Sequence, residues 1–351
     1  MKIAITIPFY NESQFIESTL KSFSALIKEF PQSYFVLIDN NSNDESIKKI
    51  EEFNKQYPEI KIVIGKEKRQ GVKFARKTAL EMTYKLLPDL ILSTDADTQL
   101  NVNLVNNLAD DLRLFLKSKA DVFLGKQIIN PEINIKRIVY LGKYVSIRRK
   151  IWNLHYKIFG PYFFGAFFII KSGFYSTIRD YYNPESSPLA LHGGDYGEDV
   201  LFSKRAYYLN GQFQIVRKDF VLTSARRFLH DPYNWVVGKI EGRPRNKDIS
   251  GVNGLLKNLQ KKLEGDESEV DRIIVNNTMD DFWSLFVDAF NFCQDSKFRY
   301  KNGEKTLKNF FDYFDIKNNV SDTSISNLNL IRLKKDYLNK AEAKFIKELG
   351  L

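Results

Sequence analysis

The first 130 residues alternate with a regularity that few folds accommodate. Short β-branched runs at 2–8, 34–39, 60–65 and 89–95 each precede a stretch with apolar residues at helical spacing. The spacing predicts helices over 13–29, 43–57, 71–87 and 101–119, with Ser42 and Glu45 as the S-x-x-E capping box of the second. A fifth strand is expected at 121–129. Strands that are apolar at nearly every position, alternating with amphipathic helices, call for crossover connections and a mostly parallel sheet covered on both faces. The expected fold class is therefore α/β.

Ligands of such open sheets bind outside the C-terminal ends of the strands. Those ends read Pro8-Phe9-Tyr10-Asn11-Glu12, Asp39-Asn40-Asn41 and Asp95-Ala96-Asp97. Ordinary strand-terminating turns explain any one of the three, but less comfortably all three together. Alternate residues of a strand share a face, so Asp95 and Asp97 are expected to converge on one hard cation, Mg²⁺ or Mn²⁺, shared with substrate phosphate.

Two further constellations follow later in the chain. Glu198-Asp199 opens a helix behind Gly193-Gly194. Acids are favoured there by the helix dipole alone, and the pair also suits a general base. Arg226-Arg227 closes a predicted strand, either solvated or placed to balance a diphosphate leaving group. His230, just beyond, either completes a metal sphere or is an ordinary loop histidine.

Composition narrows the classes. Cys293 is the only cysteine of the 351 residues, which excludes an internal disulfide framework or cysteine zinc site and suggests a reducing, cytoplasmic setting. The longest apolar run, 159–170, is aromatic, broken by Gly165, and falls short of the roughly 18 residues a membrane span needs. Neither a Gly-x-Gly-x-x-Gly nor a phosphate-binding G-x-x-x-x-G-K-[ST] loop is present, which counts against dinucleotide and P-loop enzymes. The net charge of +10 is concentrated in residues 133–230, which hold 15 Lys/Arg against 6 Asp/Glu. Such a surplus suggests an anionic partner: nucleotide, lipid phosphate, membrane surface or nucleic acid. Residues 135–159, basic and aromatic, read either as an interfacial helix giving peripheral contact with the inner face of the membrane or as one wall of an acceptor cleft.

Past residue 130 a strand is expected at 166–170, a helix from Gly173, another closing on Gly211, and strand material at 212–216 and 220–228. From 231 onward the pattern is polar loops, then helices at 280–293, 305–314 and 331–349. This gives a domain over 1–230 and a mainly helical C-terminal region over 231–351.

The segments ITIPFYNES (5–13), VLIDNNSNDES (36–46), RQGVKFARKTAL (69–80), ILSTDADT (91–98) and GEDVLFSKR (197–205) together resemble the family 2 glycosyltransferases of the GT-A fold, in order and in spacing. The resemblance implies a GT-A type domain with a C-terminal α-helical appendage. It implies transfer of a single sugar, with inversion, from a nucleotide-diphosphate donor to an acceptor hydroxyl on a sugar, a lipid-linked glycan or another molecule. A UDP-sugar is the favoured donor, and cell-surface glycan or glycolipid synthesis is the setting it suggests.

Carried onto this chain, it puts Pro8 and Glu12 in the base pocket, Asp39 on the nucleobase, and Tyr10 and Asn41 beside them in the donor-binding set. Gly71 and Arg76 belong to the segment closing over the nucleotide. Asp95 contacts ribose or metal, Asp97 ligates Mg²⁺ or Mn²⁺, and Asp199 of the Glu198-Asp199 pair is the base. Asn40 stands where relatives commonly carry a second acid, and Arg76-Lys77 where an Asn is usual. The Q-x-x-R-W signature of processive synthases is missing. A nucleotidyltransferase-like enzyme would need a Gly-rich loop where PFYNES stands. A non-catalytic nucleotide- or nucleic-acid-binding protein would not need intact Asp95-x-Asp97 and Glu198-Asp199, so nucleic acid is not the expected partner.

Overall fold

A computed structural model describes residues 1–129, 139–162, 165–182, 198–224, 233, 252–265, 267–294, 301–316 and 330–351. The alternation of the first third becomes β1 (Ile3–Phe9), α1 (Ile16–Glu29), β2 (Tyr34–Asp39), α2 (Ser46–Gln56), β3 (Ile62–Lys66), α3 (Val72–Lys85) and β4 (Leu90–Thr94). These strands pair in parallel in the order β3-β2-β1-β4. Then β5 (Thr98–Leu100), α4 (Val105–Lys117), β6 (Val122–Ile129), α5 (Val139–Phe159), β7 (Phe167–Lys171), α6 (Ser172–Ile178), α7 (Glu198–Tyr208) and β8 (Phe213–Thr223) complete an eight-stranded sheet. Here β7 runs antiparallel to both β4 and β6, β8 parallel to β6, and β5 antiparallel to β8.

Every residue of β1 is buried, as a central strand covered on both faces requires. Ile3, Ile5, Ile7 and Phe9 pack with α1, α2 and α4 on one side. Ala4, Val36 and Ile38 meet Ala75 and Ala79 of α3 on the other. The mostly parallel, doubly covered sheet read from the sequence is what forms.

Local departures have local causes. The Ser42/Glu45 capping box does not form. Ser42 is drawn into the turn after β2, where its N–H donates to Asp39 Oδ1 (2.8 Å) and its Oγ accepts from Asn11 N–H (3.0 Å). Asp44 instead takes Ser46 N–H and Oγ–H at the start of α2. The strand material expected at 212–216 and 220–228 forms one continuous strand, β8, as far as Thr223, and residues 225–228 lie outside the described residues.

The C-terminal helices are α8 (Val252–Gly265), α9 (Glu267–Cys293), α10 (Lys301–Tyr313) and α11 (Leu330–Leu349). The first was not expected; Gly254 and the polar flanks hid its spacing, although Leu259 and Leu263 line a buried face. α9 begins thirteen residues before the expected 280, since its first half is polar outside Val270, Ile273, Ile274, Val275 and Met279. The four helices share one aromatic-rich core with α5, which supplies Tyr144, Ile147, Leu154, Ile158 and Phe159.

That packing bears on residues 135–159. An interfacial helix needs its apolar side for lipid, and the described apolar side of α5 is turned into protein. No helix among the described residues is long and apolar enough to cross a membrane. Part of the basic surplus of 133–230 is likewise taken up within the fold. Lys143, Lys150, Lys171, Arg179, Lys204, Arg205 and Lys218 all bind carboxylates or carbonyls of the same chain.

Candidate active site

The exits of β1 and β2 interlock. Asn11 and Asn41 take the left-handed backbone conformation (φ 52° and 67°), which Asn tolerates better than most residues. Asn11 Oδ1 accepts from Asn43 N–H (2.9 Å), and Glu12 N–H donates to Ser46 Oγ (2.7 Å). Pro8 lies in β1 beside Ile38, and Tyr10 is half-buried in the turn. Asp39 closes β2, largely buried, with Lys66 Nζ 3.8 Å from its Oδ2. Asn41 Nδ2 donates to Lys68 C=O (2.9 Å).

Asn40 has a role the sequence did not disclose. Its side chain is 2% exposed. Nδ2 donates to the carbonyls of Glu67 (3.0 Å) and Arg69 (2.7 Å), while Oδ1 accepts from Gly71 N–H (2.8 Å). One amide thus shapes the whole β3–α3 loop and delivers Gly71 (φ 133°) to the start of α3. A carboxylate has no donor to offer two carbonyls. Asn40→Asp is therefore expected to lower unfolding free energy by about 3 kcal/mol, the cost of leaving a buried charge against unsatisfied acceptors. A urea midpoint equal to the wild type's would refute this account of the loop.

Asp95 and Asp97 do not share a strand face as expected. β4 ends at Thr94, and Asp95-Ala96-Asp97 forms a tight turn into β5, closed by Thr98 N–H on Asp95 C=O (3.2 Å). Asp97 is 6% exposed, and its carbonyl accepts from Ser224 N–H (3.1 Å). Two carboxylates in one turn at the sheet edge suit a small hard cation that takes its other ligands from water and phosphate oxygens. No protein-only cage of three or more His, Cys, Asp or Glu forms among the described residues.

At the centre lies Arg76, on the buried stripe of α3 with Ala75, Ala79 and Leu80. It is 1% exposed, and four groups take up its guanidinium. Nε donates to Glu198 Oε1 (2.8 Å), Nη2 to Asp95 Oδ1 (2.5 Å), and Nη1 to Ser93 Oγ (2.8 Å) and Gly165 C=O (3.2 Å). Burial alone would lower its basicity, but the charges of Asp95 and Glu198 win and hold it firmly protonated. Arg76 thus joins the aspartate turn to the first turn of α7.

Gly165, seen in the sequence only as a break in an apolar run, is the other half of this junction. Its N–H donates to Asp199 Oδ2 (2.6 Å), while Val200 N–H donates to Asp199 Oδ1 (2.8 Å). A Cβ on Gly165 would sit 2.5 Å from Arg76 Nη2, so only glycine lets backbone and guanidinium approach this closely. Burial, then the neighbouring charge of Glu198, pushes the Asp199 carboxyl up to about 7, against the opposing pull of Arg76 and the two amides. A carboxyl that titrates near neutrality at a sheet edge can take a proton from a hydroxyl.

The structure therefore brings Arg76, Asp95, Glu198 and Asp199 together, and α3 ties them to the β1–β2 exits through Gly71 and Asn40. Arg226, Arg227, His230 and Gly193-Gly194 lie outside the described residues.

Comparison with solved structures returns S. aureus TarS residues 1–349 in complex with UDP-GlcNAc, at 17% identity and TM-score 0.48, covering 99% of this chain and 89% of that one. It also returns the mannosyltransferase PcManGT from Pyrobaculum calidifontis in complex with GDP-Man and Mn²⁺, at 12% and 0.43, covering 99% and 85%. A third is glucosyl-3-phosphoglycerate synthase from Mycobacterium tuberculosis with Mn²⁺, UDP and glucosyl-3-phosphoglycerate, at 13% and 0.39, covering 74% and 77%. At that level of likeness they carry no argument about this chain's substrates. No curated protein matches the sequence. The family model of glycosyl transferase family 2 matches residues 4–167, the segment that holds the β1 and β2 exits, Arg76, the aspartate turn and Gly165. Over that segment the chain is similar to the family 2 glycosyltransferases.

Proposed function

We propose that the protein transfers a single sugar, with inversion, from a UDP-sugar to an acceptor hydroxyl, and that the transfer depends on a divalent metal. The observation that carries the reading is the Arg76 junction, which sets a donor-side carboxylate turn and a buried pair of acids on one sheet edge. The β1 and β2 exits, with Pro8, Tyr10, Glu12, Asp39 and Asn41, receive the nucleoside, and Gly71 opens the helix beside it. Asp95 and Asp97 would hold Mg²⁺ or Mn²⁺, which supplies charge neutralisation for the departing diphosphate. Asp199, ionised, accepts the proton of the acceptor hydroxyl as its oxygen attacks the anomeric carbon. Glu198 keeps Asp199 basic by its own charge and is itself fixed by Arg76. Arg226 and Arg227 would add positive charge for the leaving group, and His230 a further metal ligand.

Calorimetric titration of UDP and of GDP, with and without Mn²⁺, tests the reading. Metal-dependent UDP binding is expected in the wild type, weakened at least about fiftyfold in Asp97→Ala, since the loss of a charged metal ligand costs over 2 kcal/mol. Binding of GDP alone would change the donor class. Absence of binding by either nucleotide under any condition would remove the reading altogether.

A further inference from the structure

Helix α7 is gripped as tightly near its C-terminal end as at the turn bearing Glu198 and Asp199. Lys204 and Arg205 are neighbours in sequence and leave the helix toward two different elements. Lys204 Nζ donates to the carbonyls of Phe159 (2.9 Å) and Gly160 (3.1 Å), the acceptor-rich C-terminal end of α5. Arg205 forms a two-pronged pair with Asp288 of α9, Nη1 to Oδ2 and Nη2 to Oδ1, both 2.7 Å. Lys204 and Asp288 are 0% and 1% exposed. Asn302 of α10 adds a bond from Nδ2 to Tyr207 C=O (2.9 Å). Leu201, Phe202 and Ala206 of α7 pack on the sheet layer.

The chemistry of these contacts is more than packing needs. Asp288 lies on the apolar face of α9, between Phe286 and Ala289, where an aliphatic side chain would stabilise at least as well as a buried ion pair. An apolar contact, however, lets a helix slide and roll, whereas a two-pronged guanidinium–carboxylate pair fixes both. Arg205 stands six residues, about 9 Å along the helix, from Asp199. Displacement of a reacting group by about 1 Å costs on the order of a hundredfold in rate.

We infer that the C-terminal helical layer is the positioning frame of the acid-bearing turn of α7, with Asp288 acting as a positioning residue through Arg205 and α5 through Lys204. The inference deepens the proposed function, because Asp199 is the group positioned. Its direct readout is nevertheless independent of catalysis: Gly165 and Val200 amides both donate to Asp199.

The test is hydrogen exchange by mass spectrometry on the full chain, in Arg205→Leu with Asp288→Leu and, separately, in Asp288→Asn. The paired leucines replace the ion pair by apolar contact, and Asp288→Asn keeps the shape should the leucines fail to fold. At a melting temperature within a few degrees of wild type, exchange at Gly165 and across 198–203 is expected to rise at least about tenfold, with β1 unchanged. Donor-sugar hydrolysis is expected to fall about a hundredfold with KM for the donor unchanged. Wild-type exchange at both amides in a folded variant overturns the inference, as does a rise shared equally by β1. A local rise in a protein whose wild type binds neither UDP nor GDP, with or without Mn²⁺, supports the frame while sinking the glycosyl-transfer reading.

Discussion

Arg76→Met is expected to lower the unfolding free energy by about 4 kcal/mol, the cost of removing one partner from a buried ion network and leaving the others charged. Methionine fills similar volume and keeps the aliphatic stem packed beside Ala79 and Leu80, so the loss reports the guanidinium and not a cavity. Two carboxylates would remain, Glu198 with its side chain 8% exposed and Asp95 at 18%, each deprived of a charge-assisted bond. Ser93 Oγ and Gly165 C=O would lose a donor as well.

Arg76→Lys separates charge from shape. An ammonium is a compact point charge that cannot reach Asp95, Glu198, Ser93 and Gly165 from one planar fork. It is expected to recover less than half of the stability and little of the activity. Denaturant midpoints for the three proteins, with donor hydrolysis beside them, decide the matter. If Arg76→Met unfolds at the wild-type midpoint, the junction is not what holds the aspartate turn and α7 together.

How much of this was legible beforehand depends on the scale of the interaction. Strand runs such as ITIPF and LILST and the helices between them were readable because each satisfies its own periodicity, and the sheet edge then located Asp39, Asp95 and Asp97. The connections among those residues were not readable. Arg76 lies on the buried stripe of α3, yet nothing local in the sequence names Asp95, 19 residues away, or Glu198, 122 residues away, as its partners. Gly165 was visible as a break in an aromatic run, but the guanidinium that forbids its Cβ comes from another layer. Asn40 looked like an acid gone missing, when its amide is needed for two carbonyls that only the fold assembles. The same limit hid the coupling of α5 to the C-terminal helices, because a helix's apolar stripe says that it is covered and not by what.

Asp199→Asn is expected to reduce turnover about a thousandfold, within the range lost when a general base is removed, and to change its dependence on pH. In the wild type, turnover should rise with pH through about 7, where the Asp199 carboxyl ionises under the combined effect of burial and the charge of Glu198. The residual rate of the variant should be flat there, since asparagine has no proton to release.

Stability should move the opposite way. An ordinary aspartate ionises near 3.8, and this one holds its proton to about 7 when folded. Between those values the folded state binds more protons than the unfolded, so stability from this group falls as pH rises across that window. His155 works in the opposite sense. Burial, then the charge of Lys204, lowers its pKa well below 6.5, so its contribution is lost as pH falls below that value. Glu67, held down to about 2 chiefly by Arg69, loses its contribution only at lower pH. The difference in unfolding free energy between variant and wild type, followed from pH 4 to 8, removes the shared contributions and leaves that of Asp199. A difference that shifts toward the variant as pH rises, alongside a turnover profile that loses its inflection near 7, assigns the proton to Asp199. A variant that keeps the wild-type inflection would place the base elsewhere, and Glu198, bound to Arg76 at 2.8 Å, would be the next residue to replace.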